Sequence, residues 1–134
     1  MKLKLITLAY VAFLVLIIVA ADDGIARQFF NAVNSVPLAD KLGHFVLMGT
    51  FALLMNASLG WRRMKIMGRA ILLGSVVVVL LVTMEECSQI FFKTRTFDLW
   101  DLTADYLGIF SLSHIAAFQS RNRALNPLES GKHE

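Results

Sequence analysis

The chain has 134 residues, enough for one domain, and 57% of them are hydrophobic against 17% charged. Soluble domains average about 45–50% and about 25%, so this balance, with a mean hydropathy of +0.63, belongs to a membrane protein. It excludes a disordered chain, a nucleic-acid-binding tail and, with Cys87 the single cysteine, a scaffold of internal disulfides.

Four charge-free runs follow one another along the chain. Leu5–Ala21 and Phe45–Trp61 each span 17 residues, and Ala70–Met84 and Tyr106–Ser120 each span 15. Crossing a hydrocarbon core of ~30 Å takes about 20 mostly apolar residues, so each run must recruit its neighbours. The expectation is an all-α polytopic membrane protein, a bundle of about four transmembrane helices near 4–21, 42–61, 68–92 and 98–119. The first run also has features of a signal peptide, with Lys2 and Lys4 ahead of it and Val19-Ala20-Ala21 at its end. It exceeds the ~7–15 residues of such an apolar core, which favours an uncleaved helix. Between the first two spans, Ile25, Phe29, Val33 and Val36 fall at helical spacing. They suggest either a short helix lying on the outer surface over 24–38 or a packed connector, ended by Pro37. Residues 1–120 form the transmembrane domain, and the polar tail 121–134 is expected to be disordered and cytoplasmic.

Orientation follows from the cations. Nine of the thirteen Lys and Arg lie at the termini and in the 62–69 loop, and four (Arg27, Lys41, Lys93 and Arg95) lie on the other side. The positive-inside rule places the nine in the cytoplasm, with both termini. The expected location is the bacterial inner membrane, with segments 22–43 and 86–98 facing outward.

Six of the ten acidic residues then fall near the outer edge of the bilayer: Asp40, Glu85, Glu86, Asp98, Asp101 and Asp105. At ~1.5 Å of rise per residue, His44, Glu86, Asp101 and Asp105 reach about the same height on three helices. At 100° per residue, Asp98, Asp101 and Asp105 lie within about 60° of one another. A carboxylate at membrane depth costs on the order of 2.5–3.5 kcal/mol, so these groups should turn inward and find partners.

The motifs that carry these groups are Asp40-Lys41-x-x-His44-Phe45, Glu86-x-x-Gln89, and Arg95-x-x-Asp98-x-x-Asp101-x-x-Ala104-Asp105-x-x-Gly108. In order, spacing and hydrophobic context they resemble the VanZ-like family of small bacterial membrane proteins over residues 38–112. That family has Asn where this chain has Asp105, which adds a negative charge. The resemblance implies a multi-spanning protein of the cell envelope linked, through the family's namesake, to resistance to the glycopeptide teicoplanin. It implies neither a reaction nor a cofactor.

The candidate binding residues are therefore Asp40, Lys41, His44, Glu86, Gln89, Arg95, Asp98, Asp101 and Asp105, and the candidates for proton handling are His44, Glu86 and Asp101. Arg95 suits either an ion pair with Asp98 or Asp101, or a phosphate held by its planar fork. Glu86 with Gln89 suits interhelical packing, a general base or a cation ligand. Asp40 one turn ahead of His44 suits an oriented acid–base pair or a helix-start hydrogen bond. One His with several carboxylates can hold a divalent ion, but the two-His helix signature is missing and no metal is assigned. His114 and Cys87 read as structural, and Gly49, Ala52, Gly108 and Ser111 as sites of close helix approach.

Two functions remain open. One is an envelope protein whose outer pocket binds a lipid head group, a cell-wall precursor or a glycopeptide. The other is an outer-leaflet enzyme acting on a phosphate- or ester-linked lipid, although no phosphate loop or nucleophile elbow occurs. A transporter would need a homo-oligomer, since four spans show no inverted repeat. The partners expected are lipid and not nucleic acid.

Overall fold

A computed structural model describes residues 1–22, 27–36, 38–91 and 97–125. The chain is mostly helical: α1 (Lys2–Asp22), α2 (Arg27–Asn34), α3 (Ala39–Ser58), α4 (Leu73–Ser88) and α5 (Leu99–Leu125), with a small antiparallel hairpin, β1 (Arg63–Ile66) and β2 (Arg69–Leu72), between α3 and α4. The all-α expectation holds, with two corrections. The third helix does not start near 68, because residues 63–72 fold back on themselves. Met67 (φ 50°) and Gly68 (φ 79°) both adopt positive φ at the turn, as a two-residue hairpin of the type I′ kind requires. The fourth helix runs past 119 to Leu125, so the first residues of the expected tail are helical. The rest of that tail lies outside the described residues, as do Pro37, Lys93 and Arg95.

Among the described residues, two helical stretches, Lys2–Ala21 and Leu73–Phe91, are long and apolar enough to cross a membrane. Helices α3 and α5 do not reach that measure, because Asp40, Lys41, His44, Asn56, Asp101, Asp105 and Ser113 interrupt their apolar runs. Within the expected segment 24–38 a short helix is present at Arg27–Asn34.

The body is built on α3, α4 and α5, and α3 and α5 form its most intimate pair. Gly108 explains the intimacy: a Cβ there would strike the carbonyl oxygen of Phe45, and one on Gly49 would stand 2.8 Å from the carbonyl of Gly108. Small residues let two backbones meet. The core between the three helices holds Phe51, Ala52, Val78, Val82 and Ile109, joined from α1 by Leu14. Helix α1 leans on α3, with the Tyr10 hydroxyl donating to the Leu47 carbonyl at 3.0 Å and Thr7 Oγ1 2.6 Å from Ser58 Oγ.

Large apolar side chains are exposed along the helices, while several polar ones are buried between them. Leu5, Ile6, Leu8, Leu16, Leu80, Met84, Leu107, Ile115 and Phe118 are all exposed, while Asn56, Ser75, Glu86, Gln89, Asp105 and Ser113 are buried. The buried polar residues form two layers about 18 Å apart along the helices, twelve residues separating His44 from Asn56 at ~1.5 Å each. Between the layers lies the apolar core.

Candidate functional site

The charged layer collects at one end, where α3 and α5 begin and α4 ends. The expected convergence of Asp40, Lys41, His44, Glu86, Gln89, Asp98, Asp101 and Asp105 is found; Arg95 falls outside the described residues. Local sequence explains the placement. Asp40 sits in the first turn of α3 and Asp101 in the first turn of α5, where the positive ends of two helix dipoles favour carboxylates. Asp98 stands just ahead of α5 and its Oδ1 accepts the Trp100 N–H at 2.8 Å, a capping bond that satisfies one unpaired helix donor.

Lys41 is the hub. Its ammonium donates to Asp98 Oδ2 at 2.9 Å, to Asp40 Oδ2 at 3.2 Å and, at shorter range, to Asp101 Oδ1. It thereby ties α3 to α5. The ammonium, helped by the Trp100 N–H, holds the Asp98 carboxyl below the usual carboxylate range.

The imidazole of His44 is gripped from the other side. Its Nδ1–H donates to Asp105 Oδ1 at 3.0 Å, and Asp105 is only 2% exposed. The sequence pairs His44 with Asp40 one turn earlier, but that carboxylate stands 3.9 Å from Nε2, so Asp105 and not Asp40 orients the ring. Spacing along one helix could not reveal a partner on another. Asp105 thus gives His44 a charged partner.

Glu86 is fully buried. Its Oε1 accepts the backbone N–H of Asp98 at 2.8 Å and its Oε2 accepts Gln89 Nε2 at 3.0 Å; Gln89 also reaches both Glu85 oxygens at 3.2 Å. In a capping box, the third residue of a helix reaches back to the cap's own N–H. Here that residue, Asp101, is held by Lys41, and Glu86 from α4 takes the N–H instead.

Outside the cluster, Cys87 departs from its expected packing role, while His114 makes a local backbone contact. Cys87 is exposed rather than packed. His114 is exposed, and its Nδ1–H donates to the Phe110 carbonyl at 2.7 Å one turn back. No motif announces the second polar layer, in which Asn56 Nδ2 donates to Ser75 Oγ at 2.9 Å and Ser113 Oγ at 3.1 Å.

No protein-family model, no curated protein and no solved structure matches this chain.

Proposed function

We propose that the chain is a VanZ-like integral membrane protein of the bacterial envelope. In this reading α1, α3, α4 and α5 cross the bilayer with both termini inside. The charged cluster opens at the outer edge and binds a polar head group or a cell-wall precursor. The observation that carries the reading is the joining of Lys41 to Asp40, Asp98 and Asp101, and of His44 to Asp105, at one end of a body whose helices expose leucine, isoleucine and phenylalanine. Interior-facing paired charges on lipid-facing helices are what a bilayer demands of ionisable groups. Asp40 and Asp98 have 37% and 38% of their side chains exposed, so the open face of the site is acidic and suits a ligand that presents an ammonium group.

A second reading, an outer-leaflet enzyme on a phosphate- or ester-linked lipid, is favoured by one observation. Asp105 fixes His44 with Nε2 facing the open carboxylates, the arrangement of an oriented general base.

Two measurements test the proposal. In a Cys87→Ser background, cysteine introduced beside Lys93 should react with an impermeant reagent in intact cells, and cysteine beside Arg63 should not; the reverse pattern overturns the topology. The chain expressed in a teicoplanin-susceptible host should raise tolerance, and Lys41→Met should abolish the gain while the protein still accumulates in the membrane. Unchanged susceptibility with abundant wild-type protein removes the link to glycopeptides.

A further inference from the structure

The geometry of the cluster points to a divalent transition-metal site formed by Asp40, His44 and Asp101; the inference rests on reading this cluster as the protein's working site. We propose that His44 Nε2, Asp40 Oδ1 and Asp101 Oδ2 ligate one ion such as Mn2+ or Zn2+, with Asp105 behind the imidazole.

The donor atoms of the three residues all lie within 4.8 Å of one another. The division of oxygens is what makes the arrangement directional. Asp40 gives Oδ2 to Lys41 and turns Oδ1 toward Nε2; Asp101 gives Oδ1 to Lys41 and turns Oδ2 toward Nε2. Each aspartate is thus braced on one side and presents its other oxygen to the same point. In the neutral ring, the Nδ1–H bond to Asp105 selects the tautomer whose Nε2 carries the lone pair. Three electron-pair donors therefore face one another.

The spacing separates an ion from a proton. Both oxygens stand 3.9 Å from Nε2, beyond the ~3.2 Å limit of a direct hydrogen bond. Ligand atoms on one ion, each ~2.1 Å from it, lie about 3.0–4.2 Å apart. The Asp101 side chain is 12% exposed, and among the described residues its Oδ2 faces only His44 Nε2, beyond hydrogen-bond distance. One ammonium, that of Lys41, is shared among Asp40, Asp98 and Asp101, which leaves a place for a second cation at the oxygens it does not reach. One imidazole with two carboxylates matches manganese and zinc better than the all-oxygen shells of calcium or magnesium. A carboxylate on the far nitrogen of a ligating histidine is the usual supporting contact. The two-His helix signature is absent because the ligands come from two helices rather than one.

The test uses the full chain purified in detergent, with Cys87→Ser to remove the exposed thiol, stripped with chelator and titrated with Mn2+. One ion per chain should bind, with the nitrogen coupling of a single imidazole in its pulsed paramagnetic-resonance spectrum. His44→Gln should abolish that coupling, and Asp101→Asn should weaken binding at least tenfold. Asp105→Asn, which touches no ion, should weaken it about 10–100-fold, with helical circular dichroism unchanged throughout. Absence of bound Mn2+ and Zn2+ in the wild type, or binding without nitrogen coupling, overturns the site. Teicoplanin tolerance does not enter this measurement, so the metal site and the envelope role fail separately.

Discussion

Glu86 shows how much one buried side chain can decide. Both of its oxygens are acceptors, one for the Asp98 N–H and one for the Gln89 amide. Substitution by Gln, nearly the same shape, sets an NH2 against one of these donors. Gln89 cannot flip to accommodate it, because its own NH2 is held by Glu85. An unsatisfied buried donor costs about 1–3 kcal/mol, so Glu86→Gln should lower the unfolding midpoint in mixed micelles. An unchanged midpoint would show that this hydrogen-bond set contributes nothing. Asp98 offers a milder test. Its carboxyl is depressed by Lys41, so its contribution is present above the ordinary carboxylate pKa of about 3.9 and is lost as pH falls through the lower folded value. Asp98→Asn keeps an oxygen for the Trp100 N–H but not the charge. Its stability curve should therefore decline less steeply below about pH 4 than that of the wild type, and an identical acid limb would refute the pairing. At this scale the sequence was informative about which residues meet: three motifs on separate helices named nearly the whole cluster. It was silent about which atom bonds which, because such pairings cross between helices.

The elements differ in how plainly they are written. Helix α1 is legible from composition, since an uninterrupted apolar stretch has few other uses. The hairpin was not legible, because β2 merges into the apolar run that begins at Ala70 and reads as the start of the next helix. The available signal was Met67-Gly68 between two short segments, without the Asn or Asp that marks such turns. Gly49 and Gly108 mark close helix approach in the sequence without naming the partners; the structure sets them against each other, α3 on α5, and this makes a strong prediction. Overpacking costs about 1–3 kcal/mol where side chains can shift, but the obstacle to a Cβ on Gly108 is the Phe45 backbone. Gly108→Ala should therefore lose at least that much and disturb Lys41 and His44, which ride on the same helix as Phe45. The check is the unfolding midpoint, and an unaffected midpoint would mean that α3 and α5 stand further apart than described.

At the scale of the molecule, the two polar layers perform the same service. Leu72, at the start of α4, offers no side-chain cap, and Asn56 from α3 accepts the Ser75 N–H at 3.1 Å instead. Glu86 does likewise for the N–H at the start of α5. Each helix thus closes a backbone end of its successor, which in a bilayer, without water to complete the bonds, is close to an obligation. Asn56, Ser75 and Ser113 escaped sequence reading because each is a lone neutral residue in an apolar run. If the layers are independent devices in one cooperative body, their losses should add. Asn56→Ala leaves the Ser75 N–H unpaired and should cost about 1–3 kcal/mol, as should Glu86→Gln. With about 18 Å between them and a packed apolar core in between, the double variant should equal the sum of the single effects within ~0.5 kcal/mol. A larger discrepancy in the unfolding midpoints would mean that the layers communicate through the core, and that changes at the charged end are felt at the hairpin end.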